Sequence, residues 1–426
     1  MVTTAPRTTR NTTRPAVQLT LVDAGHLYLS WRWEHDPHAQ RVLVLPRDEV
    51  RGPLDELAAA VPSPLAGESG EQALERSLGH GPLVDRSRET GLAERLAAGL
   101  FPARLAAELT AVCGDGVRPH LRVQPSPSTA QVPWEALLVD PGTRLVDHVD
   151  VSVLVPATVR NARERCVSPW RAGGPVVGVL DPVVPGFDSA SALGSVLGPG
   201  AADSALAGML TRLGSRLAPT GARALRPDNV DRDVLERALA DASRLLYVGH
   251  VTRGGHGLDV RLHLCCGPGT TGLAPLVGAH RPLTAADIVL GHRPDTRQPW
   301  RIPNRVALIA CESGSDARFA EPAGLVTAMV HGGAEYVTAT RWVLPTDAGL
   351  ARYLPGIDGA VLADTVVAVN DTHESADPVA ALGTWQRDMA TRWARTGEPA
   401  CSPLLWAAFS TAYAPAPAIT GRTCDR

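Results

Sequence analysis

Two residues in this sequence have the type and setting for covalent chemistry. His250 follows the run RLLYVG, and Cys311 follows the run RVALIA and opens the turn CESG. Both runs are short and almost continuously apolar, the pattern of strands buried on both faces. Each reactive side chain therefore stands where a strand gives way to a loop. In an open parallel sheet, reacting groups collect at the carboxyl ends of the strands, so His250 and Cys311 share one crevice if their strands are neighbours. A thiol becomes an effective nucleophile when an imidazole within hydrogen-bond reach takes its proton and stabilises the thiolate. Backbone N–H groups near Cys311 and after Gly249 could hold the oxyanion of an acyl-transfer intermediate. The plainer reading makes Cys311 a small hydrophobe at a strand end and His250 a hydrogen-bonded core residue. Spacing leaves both readings open.

The elements that must position this pair come next. From about Pro119 the sequence alternates apolar runs (LRVQ, VSVLV, VVGVL, RLLYVG, VALIA, EYVTAT) with amphipathic stretches such as VDRDVLERALADA. That alternation predicts a largely parallel sheet with helices on both faces. Upstream, QLTLVDA and HLYLSWRWEH alternate like a hairpin turning at Ala24 and Gly25, and VLVLP adds a strand. LDELAAAV and EQALERSL read as helices, as does the stretch from Gly91 to Val112, which Pro102 must interrupt. Two Gly-, Pro- and Ser-rich segments, 182–199 and 254–278, are long loops of the kind that more often carry function. No repeat period is visible.

Composition narrows the function classes. Apolar residues make up 44% of the 426, enough for an ordinary globular core, and the few aromatics make that core aliphatic. The net charge of −3 and the scattering of arginine among acids argue against nucleic acid as a partner. No segment has the length and apolarity of a membrane span, and the first residues lack a signal-peptide core, so a cytoplasmic protein with no membrane partner is expected. The seven cysteines lack paired CxxC spacing, which predicts neither structural zinc nor a disulfide framework. His256, His263 and His280 are spaced too irregularly for a metal site and read as loop histidines, His256 being the one substitute for His250 as base. No metal or cofactor is expected. A nucleotide-binding reading fails, because no GxGxxG follows the first parallel strand and a chain without lysine has no P-loop lysine.

Several motifs, in order, resemble the CHAT family of caspase-like cysteine peptidases, relatives of the separases. They are VQPSPSTAQVPWEALLVD, VVGVLDPVVPG, YVGH, LTAADI at 283–288, IACESG at 309–314, GLVTAMVHGGAEYVTATRWVLPTDAG at 324–349, and PLLWAAFSTAY at 403–413. The resemblance implies an α/β fold, a caspase-like three-layer sandwich with a largely parallel central sheet, plus an N-terminal α/β or β-rich lobe. It divides the chain into a disordered tail (1–15), a non-catalytic lobe (16–116) that is a candidate pseudo-caspase half, a peptidase domain (117–415) and a C-terminal tail (416–426). It makes Cys311 the nucleophile and His250 the general base and acid. Gly249, Val251 and Gly314 would form the backbone around the oxyanion, with Glu312 and Asp287 in support. The plainer readings are a solvent-exposed carboxylate for Glu312 and a first-turn helix charge beside Thr284 for Asp287. Asp347, after EYVTATRWV, would pair with a basic substrate side chain as in the similar separases, or else begin the helix running toward Ala360. The implied activity is that of a cysteine endopeptidase cleaving a protein substrate, an effector in bacterial stress or defence signalling triggered by a separate sensor or activator protein. The alternative is an inactive scaffold of the same fold that binds a partner.

Overall fold

The computed structural model describes residues 14–114, 116–198, 203–219, 224–311, 313–314, 324–357 and 359–416. The expected hairpin is β1 (Ala16–Ala24) and β2 (His26–Trp33), paired antiparallel about Gly25. Gly25 has φ 76°, a left-handed conformation that glycine adopts without steric cost. β3 (Arg41–Leu45) lines β2, and β4 (His120–Gln124) runs parallel to β1. A small pair, β5 (Leu138–Asp140) and β6 (Thr143–Arg144), precedes β7 (Asp150–Val153) and β8 (Val176–Leu180). Then come β9 (Leu217–Ala218), β10 (Arg244–Gly249) and three short strands, β11 (Val251–Thr252), β12 (Arg261–Leu262) and β13 (Leu283–Thr284). The last are β14 (Arg305–Ala310), β15 (Tyr336–Thr340) and β16 (Phe409–Tyr413).

Eleven strands form one sheet in the order β3-β2-β1-β4-β7-β16-β15-β14-β10-β8-β9, and β11, β12 and β13 form a separate small sheet beside it. The strand alternation explains the layers. Leu246, Val248, Ala307 and Ile309 face one core, which also holds Leu206, Met209, Leu362, Val366 and Leu382 from helices Ala205–Leu213, Val361–Thr372 and Pro378–Thr396. Leu245, Tyr247, Val306 and Leu308 face the other, against Leu235, Ile288 and Met329 from helices Arg232–Ala240, Ala285–Leu290 and Leu325–His331. With both faces buried, period-2 amphipathicity disappears, hence the continuous apolar runs in the sequence. The fold is thus the expected three-layer α/β sandwich around a largely parallel sheet.

The N-terminal segment extends this sheet. Helices Arg86–Leu100 and Ala103–Gly114 meet at Pro102 with a bend of 103°, since proline offers no N–H to continue a helix. The first of them is tied to the rest of the molecule by a buried pair: both Glu89 carboxylate oxygens accept from Arg144 at 2.8 Å, and Trp393 Nε1–H donates to Glu89 Oε2 at 3.0 Å. β7 meets β16 through one bridge, Val153 to Ala412, the narrowest link in the sheet. Among the described residues no single helix is long and apolar enough to cross a membrane. One expectation is corrected: Cys166 is disulfide-bonded, while Cys113, Cys265, Cys266, Cys311 and Cys401 form no disulfide.

Candidate active site

The site is built where three neighbouring parallel strands end. β10 lies between β8 and β14, with Val248 opposite Leu180 and Gly249 opposite Ala310. The next residue of each chain segment is Asp181, His250 or Cys311. Adjacent strands are about 4.8 Å apart, so His250 and Cys311 leave the sheet side by side from the last paired position of their strands. Both side chains are half-buried.

The His250 ring is held by one clear contact, Nε2 to the Gly194 carbonyl at 2.8 Å. A carbonyl only accepts, so Nε2 carries the hydrogen and Nδ1 is the basic nitrogen of the neutral ring. Burial pushes the His250 pKa below its usual 6.5; the Gly194 contact and the charge of Asp181 oppose that shift, and Arg226 adds to it. The ring therefore stays neutral, and able to accept a thiol proton, to lower pH than a free imidazole.

The backbone under His250 is fixed from below. The fully buried Tyr247 hydroxyl lies 2.9 Å from the His250 carbonyl and 2.8 Å from the His263 carbonyl, and the His263 N–H donates to His250 O at 3.1 Å. A Cβ on Gly249 would sit 2.7 Å from Tyr247 Oη, so this position excludes any larger residue. Val251 continues into β11 opposite Leu262, in ordinary strand geometry. On the other side, Ser313 and Thr340, both 0% exposed, pin the turn after Cys311 to the end of β15. Ser313 Oγ–H donates to Leu308 O at 2.6 Å, Ser313 N–H to Ala310 O at 3.1 Å, and Thr340 Oγ1–H to Ala310 O. These bonds fix the start and end of the turn after Cys311 at the end of β14.

Other predicted site residues have different surroundings. Gly314, expected in the backbone around the oxyanion, has its N–H donating to Thr340 O at 2.9 Å and so shapes the turn. Glu312 lies outside the described residues. Asp287 is completely buried, closes a capping box with Thr284, accepts the Leu273 N–H at 2.8 Å and faces Arg232 at 3.6 Å. It organises the loop before helix Ala285–Leu290. Asp347 Oδ1 accepts the Leu362 N–H at 2.7 Å and so caps helix Val361–Thr372, while Thr346 caps the helix that Asp347 begins. Burial raises its pKa. That placement sets the carboxylate against backbone amides at the start of helix Val361–Thr372.

His263 and His280, expected as loop histidines, are 1% and 0% exposed and joined in one chain of hydrogen bonds. The Cys266 carbonyl accepts from His280 Nδ1 at 2.8 Å, His280 Nε2 accepts from His263 Nδ1 at 3.1 Å, and His263 Nε2 accepts from Thr252 Oγ1 at 2.9 Å. Starting from an obligate acceptor, these neutral rings have one consistent set of tautomers. His256 is exposed. Asp233, Glu236 and His292 also come together, but Trp300 Nε1–H donates to His292 Nδ1, which puts the hydrogen on Nε2 facing Asp233, and Arg293 bridges both acids. That cluster is an ion-pair network.

Sequence reasoning missed Gly194, Asp181, Ser313 and Thr340. The only available signal was the Asp-Pro that ends VVGVLDP, directly after a buried strand.

The sequence matches the CHAT domain family over residues 90–414. No curated protein sequence is significantly similar to the chain. Its structure is similar to two crystal structures of the Saccharomyces cerevisiae separase–securin complex, at 11% and 12% identity with TM-scores of 0.48 and 0.47. The matches cover 94% and 93% of this chain and 30% of the separase chain in each case.

Proposed function

We propose, from the premise that the chain belongs to the CHAT domain family of caspase-like proteases, that it is a cysteine endopeptidase whose catalytic pair is His250 and Cys311. One observation carries the reading: the two residues directly follow the paired ends of adjacent parallel strands, Gly249 opposite Ala310, and the Gly194 contact leaves His250 Nδ1 basic. In this mechanism Nδ1 takes the Cys311 proton, and the thiolate sulfur attacks the scissile carbonyl carbon. A C–S bond forms as the carbonyl π electrons move to oxygen. Collapse of that intermediate expels the amine, which leaves with the proton held by His250. Water then attacks the thioester while Nδ1 takes its proton, and the second collapse releases the carboxylic acid product and returns the proton to sulfur.

The substrate is a protein, and the family likeness supports an effector that acts in bacterial stress or defence when a separate sensor or activator engages it. The experiment compares new protein N-termini in cells producing wild-type chain or Cys311→Ala under the same stress. Cleavage sites present only with wild type support the reading. Identical N-termini in both, with the variant folded by circular dichroism, favour the scaffold instead.

A further inference from the structure

We propose that Asp181 is the positioning residue of this site: from the end of β8 its carboxylate builds the turn that carries Gly194, and through the Gly194 carbonyl it fixes the orientation and tautomer of His250. The proposal rests on the reading of His250 and Cys311 as a catalytic pair.

Asp181 is 1% exposed and directly follows β8. Its N–H donates to Val248 O at 2.6 Å, which holds it against the last residues of β10. Its φ is 55°, a left-handed conformation uncommon outside glycine and tolerated best by Asp and Asn. The carboxylate accepts from Ser195 Oγ at 2.5 Å, Val196 N–H at 2.9 Å, Leu197 N–H at 3.4 Å and Arg226 Nη1 at 3.3 Å. Ser195 Oγ in turn accepts the Gly198 N–H at 3.0 Å. The turn closes on itself through Gly194 N–H to Ser191 O at 2.9 Å and Ser195 N–H to Ser189 O at 3.0 Å. A Cβ on Gly194 would lie 2.4 Å from Ser189 O, so only glycine permits this turn. The Ser195 hydroxyl and the Val196 and Leu197 amides on the outer arm of the turn thus converge on one carboxylate, and the carbonyl immediately before that arm receives His250 Nε2–H. Removing the carboxylate leaves those donors without their acceptor and releases the carbonyl that sets the ring.

Charge adds a second consequence. The charged or titratable groups around His250 are Asp181 at the β8 end, Arg226 on the segment leading to helix Arg232–Ala240, His263 beneath it, and Cys311 at the neighbouring strand end. Asp181 favours the imidazolium that forms when the thiol proton is taken, and Arg226 opposes it. Neutralising Asp181 leaves Arg226 unopposed.

The test uses the full chain. Asp181→Asn keeps a residue suited to positive φ, and Asp181→Gly keeps the backbone with no side chain. Cys311 carbamidomethylation is followed against pH, and ¹⁵N shifts of the His250 ring report which nitrogen carries hydrogen. We expect labelling at least tenfold slower at pH 7, a His250 titration midpoint moved to lower pH, and loss of the single Nε2–H tautomer. If neither variant folds, Ser195→Ala removes one partner of the carboxylate and should slow labelling about two- to threefold. His250→Ala separates the two claims. If it leaves labelling unchanged, the catalytic pair itself is refuted. If it abolishes labelling while Asp181→Asn, or Ser195→Ala in its place, leaves rate, midpoint and tautomer as in wild type, the role of Asp181 is overturned.

Discussion

The imidazole of His250 works in a partly desolvated position, and that sets its pH range. Burial disfavours the charged ring, so His250 remains a base below its usual 6.5. The acid limb of Cys311 reactivity is accordingly expected below pH 6.5, read from alkylation rates between pH 4.5 and 8. A limb above 7 would mean that the ring is stabilised as imidazolium. The thiols of the other cysteines outside disulfides are expected to react slowly at neutral pH, because burial raises Cys113, Cys266 and Cys401 and pushes Cys265 up to about 11. His250 and Cys311 were legible in the sequence because each follows a six-residue buried strand. Asp181 was not, since its partners are backbone amides of an irregular turn, which leave no period in the sequence. Nor was the burial of His263 and His280, whose partners are each other and a carbonyl brought close by loop closure.

At the scale of elements, two residues set how strands and helices meet. Asp347, the first residue of helix Asp347–Tyr353, joins that helix to the next by capping helix Val361–Thr372 from outside it. Asp347→Ala should destabilise the chain by about 1 kcal/mol, measured by urea unfolding, as loss of an N-terminal cap does. A cleavage profile that loses a preference for basic residues in Asp347→Asn, with stability unchanged, would restore its role as a substrate group. The helix that Asp347 begins was legible in the sequence, but its capping of the next helix was not, because the donating amide lies fifteen residues downstream. Gly249 is the second case. Gly249→Ala places a methyl 2.7 Å from Tyr247 Oη and 3.2 Å from Pro182, an overpacking that costs about 1–3 kcal/mol. Adding Tyr247→Phe removes the nearer atom, so the double variant should melt higher than the sum of the two single changes predicts. Strict additivity would show that the clash is relieved elsewhere.

In the molecule as a whole, one sheet fixes both the layers and the crevice, and its chemistry is matched to neutral pH. His120, His263 and His373 are buried at separate points of the molecule, and burial pushes each to about 3. In the unfolded chain the same rings take a proton near 6.5, so between those values the unfolded state binds more protons and stability falls as pH drops. Each ring contributes about 1.4 kcal/mol of loss per pH unit below 6.5, with no change above it. Urea midpoints at pH 7, 6 and 5 should fall steeply; equal midpoints would show that these rings are protonated in the folded state. The parallel sheet and its two helical layers were legible from the apolar runs, whereas the joining of residues 16–116 into the same sheet was not, because the β1–β4 pairing links segments a hundred residues apart. The proposed function requires this frame to bring one imidazole to one thiol, and the rate of brief iodoacetamide labelling, mapped by mass spectrometry in wild type and His250→Ala, tests that most directly. The account predicts that wild type is labelled first at Cys311 and that His250→Ala slows this labelling at least tenfold while remaining folded. Labelling that favours Cys113 or Cys401, or that proceeds at Cys311 equally fast without His250, would contradict it.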